Sequence, residues 1–219
     1  MFRIKICGVT SCHDALAAVR MGADMIGLNF YADSPRYVEP ELAQSIAATV
    51  PRTTGVFVNA SAGQINRIAD MIGLDWVQLH GDEPPELLAD LRADMPVIRV
   101  RTVDQRGLSA VVDDWEACRA RGREPAAVLV DAAVAGQYGG TGKTADWSAL
   151  SDHRKWLGEI PLVLAGGLHA GNVGEAISVV QPAAVDTASG VEISPGVKSL
   201  EQLRSFTKAA QAAFARFPG

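Results

Sequence analysis

The sequence is poor in cysteine, and neither its cysteines nor its histidines are grouped. Its three cysteines show no Cys-x-x-Cys spacing, and its four histidines form no close-spaced pair. An odd number of isolated cysteines fits a reducing compartment better than a disulfide framework, and a zinc site needs clustered ligands. The sequence therefore predicts free thiols and no bound metal. The cysteines are Cys7, Cys12 and Cys118.

Positive charge and long apolar runs are also scarce. The chain has 20 Lys and Arg residues against 25 Asp and Glu, a formal net charge of −5. Nucleic-acid-binding proteins usually present a basic face, so any phosphate is expected to be bound locally. No apolar run reaches the roughly 18 residues of a membrane span, and "MFRIKICG" lacks the apolar core of a secretory signal. We expect a cytoplasmic protein with neither a nucleic-acid nor a membrane partner.

In its other residue types, the composition is that of a globular domain. Hydrophobic residues make up 48% of the 219 residues, and the 21 glycines and 11 prolines are scattered rather than gathered in a linker. This length is sufficient for one large core. The sequence predicts a single catalytic domain over residues 1–219.

Short apolar runs rich in β-branched residues alternate with segments of helical periodicity, such as 11–22, 61–73, 84–93 and 169–180. This alternation predicts a parallel sheet covered by helices. Eight strands in so short a chain favour a (β/α)₈ barrel over an open doubly wound sheet, which usually has about five to seven. The strand runs are 2–7, 25–30, 54–59, 76–80, 97–102, 127–131, 161–166 and 183–189.

Two strand ends carry a candidate base and a candidate acid. Cys7 ends the first strand, where a thiolate would act as base or nucleophile, and helix N-termini at the barrel mouth are expected to lower its pKa. The alternative is a small buried hydrophobic residue. Asp131 ends the sixth strand, where it either caps backbone amides or, with a raised pKa, donates a proton.

Three further features are suited to anions. Arg36, in the loop "ADSPRYV" (32–38), is either a surface arginine or a planar fork that binds a carboxylate or phosphate. The turns "LAGGL" (164–168) and "TASGVE" (187–192) follow strands seven and eight, the usual place of a phosphate site in such barrels. Backbone amides in such turns can bind a dianion, so we favour a phosphate site over the alternative that the glycines only make tight turns. The predicted phosphate-binding residues are Gly166, Gly167, Ser189 and Gly190.

The stretch "GQYGGTGKT" (136–144) resembles a nucleotide-binding P-loop but departs from its spacing. Gly142-Lys143-Thr144 is present, whereas the required first glycine is replaced by Gln137. A nucleotide-binding switch is therefore the weaker reading. We interpret the stretch as a loop whose glycines let it fold over the barrel mouth, with Gly140, Thr141 and Gly142 near the substrate.

Taken together, these motifs resemble those of the phosphoribosylanthranilate isomerases of tryptophan biosynthesis over nearly the whole chain. Their order and spacing are more specific than any one of them. The matching pieces are "KICGVT" (5–10), "GLNFYADSPRYV" (27–38), "VQLHGDE" (77–83), "LVDA" (129–132), "GGTGKTADW" (139–147), "LAGGL" (164–168) and "VDTASGVE" (185–192).

The resemblance implies a (β/α)₈, or TIM, barrel that catalyses an Amadori rearrangement of a phosphosugar-anthranilate substrate without a cofactor. By matching motifs, Cys7 is the general base, Asp131 the general acid, and Arg36 binds the anthranilate carboxylate. Asp186 lines the pocket, and the two glycine turns bind the sugar phosphate. The oligomer is expected to be a monomer or homodimer. The alternative is another phosphosugar isomerase or epimerase barrel, including the related histidine-pathway isomerase.

Overall fold

The computed structural model describes residues 1–102, 108–131 and 147–217. Eight parallel strands follow one another around a closed barrel, and β8 pairs with β1 to complete it, with Ile4 opposite Val185. The predicted (β/α)₈ fold is confirmed. The strands are β1 (Ile4–Ile6), β2 (Met25–Asn29), β3 (Thr53–Phe57), β4 (Trp76–Leu79), β5 (Val97–Thr102), β6 (Ala127–Asp131), β7 (Leu162–Ala165) and β8 (Ala184–Thr187).

Helices follow the strands and cover the outside of the barrel. Several begin at the side-chain caps that the sequence provides, as at Ser61, whose hydroxyl accepts from the Gln64 amide in a reciprocal capping box. The helices are α1 (Cys12–Arg20), α2 (Pro40–Ala47), α3 (Ala62–Ile72), α4 (Leu87–Asp90), α5 (Ser109–Ala120), α6 (His153–Leu157), α7 (Val173–Val180) and α8 (Leu200–Phe214). Within the described ranges, no helix has the length and apolar character needed to cross a membrane.

The helix predicted over 84–93 is only one turn long. The amides of Leu87 and Leu88 donate to the carbonyls of Pro84 and Pro85, three residues back, so the segment starts as tight turns. The chain becomes extended at Leu91. Arg123, which lies outside this short helix, stabilises it by donating hydrogen bonds of 2.7 Å to the Leu88 and Leu91 carbonyls.

Apolar side chains form two layers because strand residues alternate in direction. In β5, Ile98 and Val100 belong to a cluster inside the barrel, whereas Val97 belongs to the larger cluster between the strands and the helices. At the lower end of the barrel the Phe2 and Trp76 rings meet edge to face, 5.7 Å apart. This packing closes the bottom and leaves the upper rim for polar groups.

A small hairpin not predicted from the sequence follows β8. Its strands are β9 (Glu192–Ser194) and β10 (Val197–Lys198), which pair antiparallel. The hairpin matters to the site because both of its ends, Glu192 and Lys198, direct charged side chains back toward the first two strands.

Candidate active site

The predicted site residues follow, or lie on, five different strands at one end of the barrel. Cys7 follows β1 and Asp131 is the last residue of β6. Because β8 and β7 lie between β1 and β6 in the closed barrel, Cys7 and Asp131 approach the mouth from different sides. Such an arrangement allows a substrate to lie between two groups that transfer protons.

Cys7 is half-buried beside a fully buried cation. Lys5 lies two residues earlier and so faces the same side of the strand; its charge acts on the Cys7 thiol, and its Nζ lies 2.9 Å from Asp186 Oδ1. Gly27 on β2 leaves room for both groups, because a Cβ there would stand 2.8 Å from Cys7 Sγ and 3.2 Å from Lys5 Nζ. The four residues form one packed unit.

The expected lowering of the Cys7 pKa does not occur. Burial raises the pKa of the thiol and the nearby Asp186 carboxylate raises it further, while Lys5 and Lys198 oppose this shift without reversing it. Burial would by itself lower the pKa of Lys5, but Asp186 and Cys7 outweigh burial and raise it. Lys5 therefore stays a cation beside the thiol.

His80, which follows β4, interacts electrostatically with charged groups on both sides of the mouth. Its Nδ1 lies 3.0 Å from the Gln78 side-chain nitrogen. Burial lowers the pKa of His80 and the Lys5 charge lowers it further, whereas Asp186 and Asp131 act in the opposite direction. The half-buried Asp131 side chain is thus close enough to interact electrostatically with His80, which in turn interacts with the Lys5–Asp186 pair.

Arg36 is not an exposed surface arginine, because Glu192 binds one edge of its guanidinium. Arg36 Nε donates to Glu192 Oε1 at 2.9 Å, and Nη2 donates to Oε2 at 2.6 Å. Burial favours a raised Glu192 pKa, but the hydrogen bonds from Arg36 and Lys198 prevail and lower it. The Arg36 stem crosses Gly8, where an added Cβ would lie 2.4 Å from Arg36 Cδ. Arg36 therefore lies directly beside the loop that carries Cys7.

The two glycine turns after β7 and β8 are in direct contact. Gly166 and Gly167 have φ angles of 94° and 63°, which glycine adopts without strain. An added Cβ at Gly190 would lie 1.9 Å from the Leu168 carbonyl oxygen, so only glycine permits this approach. The Thr187 hydroxyl donates to the same carbonyl at 2.7 Å. Ser189 and Gly190 begin a short 3₁₀ helix, whose first amides have no partner within the helix.

Other predicted features lie outside the described residues. Gly140, Thr141 and Gly142, with the whole of the "GQYGGTGKT" stretch, fall in 132–146, and their roles stay predictions. In the ranges that the structure describes, no three His, Cys, Asp or Glu side chains are grouped so as to hold a metal ion.

Three charged residues of the site were not predicted: Lys5, Glu192 and Lys198. A signal existed for Lys5, since a lysine in the apolar run "FRIKIC" shares the face of Cys7. No local pattern indicates that Glu192 pairs with Arg36, which is 156 residues away in sequence.

Comparison with known proteins agrees with this geometry. The family model for N-(5'-phosphoribosyl)anthranilate (PRA) isomerase matches residues 4–209. The chain belongs to the phosphoribosylanthranilate isomerase family. An isomerase of this name from Pseudomonas putida strain W619 is 43% identical, with 96% of this chain and 98% of that protein covered.

Solved structures of phosphoribosylanthranilate isomerases have the same fold. The structure from Thermotoga maritima superposes with a TM-score of 0.85 and 39% identity, covering 97% of this chain and all of that one. A phosphoribosylanthranilate isomerase in complex with reduced 1-(o-carboxyphenylamino)-1-deoxyribulose 5-phosphate gives a TM-score of 0.82 and 37% identity, with 97% and 100% coverage. The family predicted from the motifs is confirmed.

Proposed function

We propose that this phosphoribosylanthranilate isomerase family member converts N-(5-phosphoribosyl)anthranilate into 1-(2-carboxyphenylamino)-1-deoxyribulose 5-phosphate, with Asp131 as general acid and Cys7 as general base. The observation that carries the residue assignment is the unit formed by Cys7, Lys5 and Asp186 at the end of β1. A cation held against a thiol stabilises its thiolate, the form that accepts a proton.

The reaction needs one proton delivered and one removed. Asp131 protonates the furanose ring oxygen, and the ring opens to an iminium ion whose electron demand acidifies the neighbouring C2 proton. Cys7 removes that proton, and the resulting enolamine tautomerises to the ketone. The change is an internal redox shift between two carbons of the substrate, so acid–base catalysis suffices.

The remaining groups bind the two ends of the substrate. Arg36 binds the anthranilate carboxylate through the guanidinium edge that Glu192 does not occupy. The contacting turns at Gly166-Gly167 and Ser189-Gly190 present backbone amides to the sugar phosphate. Asp186 lines the pocket and keeps Lys5 in place. With its two charged ends bound, the substrate has its reacting carbons between Asp131 and Cys7.

The test is turnover of the fluorescent substrate by purified wild-type protein and by two variants. Cys7→Ser and Asp131→Asn are each expected to lower kcat by about 10²–10⁴, the usual contribution of a general acid or base, with a much smaller change in substrate binding. Cys12→Ser is the matched control, since Cys12 is also half-buried but lies at the start of α1, and it is expected to keep wild-type kcat.

Near-normal kcat in either catalytic variant would refute that residue's role. Parallel assays with the aminoaldose substrate of histidine biosynthesis separate the proposed activity from the related isomerase. We expect turnover of the anthranilate substrate, and its absence in the wild-type protein would overturn the proposal as a whole.

A further inference from the structure

Arg36 is held in place by a buried charge network that connects three loops. The Glu192 side chain is only 3% exposed, and its two oxygens accept from Nε and Nη2 of Arg36. Among the residues that the structure describes, Arg36 Nη1 has no hydrogen-bond partner. The guanidinium therefore has one occupied edge and one edge able to bind an incoming carboxylate.

Lys198 occupies the other side of Glu192. Its fully buried Nζ donates to Glu192 Oε1 at 2.7 Å, to the Cys7 carbonyl at 2.6 Å and to the Ala188 carbonyl at 3.3 Å. These three acceptors use the three hydrogens of the ammonium group, so its position is fixed. Lys198 thereby fastens the β9–β10 hairpin to the loop that begins at Cys7.

The charges of this network explain why Arg36 needs both Glu192 and Lys198 beside it. Glu192 alone would neutralise Arg36 and place a negative charge close to the carboxylate that Arg36 binds. With Lys198, two cations surround one anion, and a net charge of +1 remains at the substrate end. Because Glu192 and Lys198 are buried, this difference of one charge is weakly screened and changes affinity for an anion strongly.

We propose that Glu192 and Lys198 are positioning residues that fix Arg36 and preserve its charge, and so determine the preference for a substrate bearing a carboxylate on its aromatic ring. This inference rests on the proposed function, which places the anthranilate carboxylate at Arg36. Glu192 sets where the free edge of the guanidinium points. Lys198 keeps Glu192 from cancelling the charge of Arg36.

The experiment measures binding, which separates this role from effects on the chemical step. The probes are reduced 1-(2-carboxyphenylamino)-1-deoxyribulose 5-phosphate and the same compound without the carboxylate, titrated calorimetrically into wild-type protein and variants. Lys198→Met removes the charge. Glu192→Asp keeps the charge but shortens the side chain by one methylene. Lys155→Met is the control, because it removes an exposed lysine that pairs with Asp152 on the surface.

Both site variants are expected to reduce the preference for the carboxylated probe by about tenfold, comparable to losing one charge-assisted hydrogen bond. Binding of the probe without the carboxylate should stay within about threefold of wild type, and Lys155→Met should preserve the preference. In an Arg36→Met background, Lys198→Met is expected to change the preference no further, since its effect passes through Arg36.

Two results would overturn the inference. They are an unchanged preference, including the case of an equal loss of affinity for both probes, or a full Lys198→Met effect without Arg36. If thermal melting shows that Lys198→Met is unfolded, Glu192→Asp decides the question alone. Wild-type protein that binds neither probe would overturn the proposed function and this inference together, whereas an unchanged preference overturns the inference only.

Discussion

At the scale of single residues, Lys5 distinguishes Cys7 from an ordinary buried thiol. A fully buried lysine is costly unless it is paired, and Lys5 is paired with Asp186 at 2.9 Å. Burial raises the pKa of Cys7, and the Lys5 charge is the largest influence acting against it. Burial therefore disfavours the Cys7 thiolate, and the positive charge of Lys5 favours it.

Replacing Lys5 with Met should raise the Cys7 pKa further. Loss of the cation removes the main factor that lowers the pKa, so the midpoint of the thiolate's appearance should move to higher pH. The measurement is the rate of Cys7 alkylation by iodoacetamide as a function of pH, read on the Cys7 peptide by mass spectrometry. Lys155→Met should leave the midpoint in place, and a downward move in Lys5→Met would show that the charge argument has the wrong sign.

At the scale of elements, contact between two turns depends on a missing side chain. Gly190, after β8, packs against the Leu168 carbonyl after β7 so closely that an added Cβ would overlap it. The same carbonyl accepts from Thr187, and the side-chain Nδ2 of Asn172 donates to the Gly167 carbonyl at 3.0 Å. These contacts keep the two proposed phosphate-binding turns in one fixed arrangement.

Gly190→Ala is therefore expected to force the two turns apart and to weaken binding of the reduced product analogue by about tenfold or more, because the amides no longer converge. Gly63→Ala is the matched control. Gly63 lies in α3 with no atom within 4 Å of an added Cβ, so alanine should leave binding intact and stabilise the helix by about 0.5–1 kcal/mol. Equal affinity in Gly190→Ala and wild type, measured by calorimetry, would argue against the phosphate assignment.

The order of elements could be predicted from the sequence because each strand and helix has its own local pattern. All eight barrel strands lie where the apolar runs predicted them, with ends shifted by no more than two residues. The helix predicted over 84–93 was too long, since α4 has a single turn, and the β9–β10 hairpin was missed. Turns at Pro84-Pro85 shorten the first, and the second has only five strand residues, fewer than alternation can reveal.

Some features of the site can likewise be predicted from local sequence patterns, whereas others depend on contacts between residues that are far apart in the chain. Cys7, Asp131 and the glycine turns occur at strand ends, which sequence can locate, whereas Asp186 was implied by the family resemblance; the mouth of the barrel gathers them all. Charge pairs across the mouth, such as Arg36 with Glu192, depend on how the barrel closes. The direction of the Cys7 pKa shift could not be predicted either, since burial by the surrounding elements decides it.

At the scale of the whole molecule, stability comes from the layer between barrel and helices. Leu164 of β7 is fully buried in this layer, in a cluster that includes residues from strands and helices around the barrel. A side chain packed in this way loses both its transfer free energy and its contacts when it is shortened. A substitution that shortens a side chain in this layer should therefore destabilise the whole barrel.

Leu164→Ala is expected to lower the free energy of unfolding by about 2–5 kcal/mol, the range for a leucine removed from a tightly packed core. Urea denaturation followed by circular dichroism measures the change. Leu200→Ala is the control, because Leu200 is 45% exposed at the start of α8 and should change stability by less than about 0.5 kcal/mol. A loss below about 1 kcal/mol in Leu164→Ala would mean that this layer is more loosely packed than its burial indicates.

Closure of β8 on β1 also sets when the chain can become active during its synthesis. Lys5 and Asp186 are 181 residues apart, and Lys198 reaches the Cys7 carbonyl across 191. Cys7 and Lys5 are therefore synthesised well before Asp186 and Lys198, which complete the charged surroundings of the thiol. A nascent chain stalled before β8 holds the proposed base without these two groups. Activity should thus arise in one step once β8 and the β9–β10 hairpin have joined β1, rather than growing with chain length.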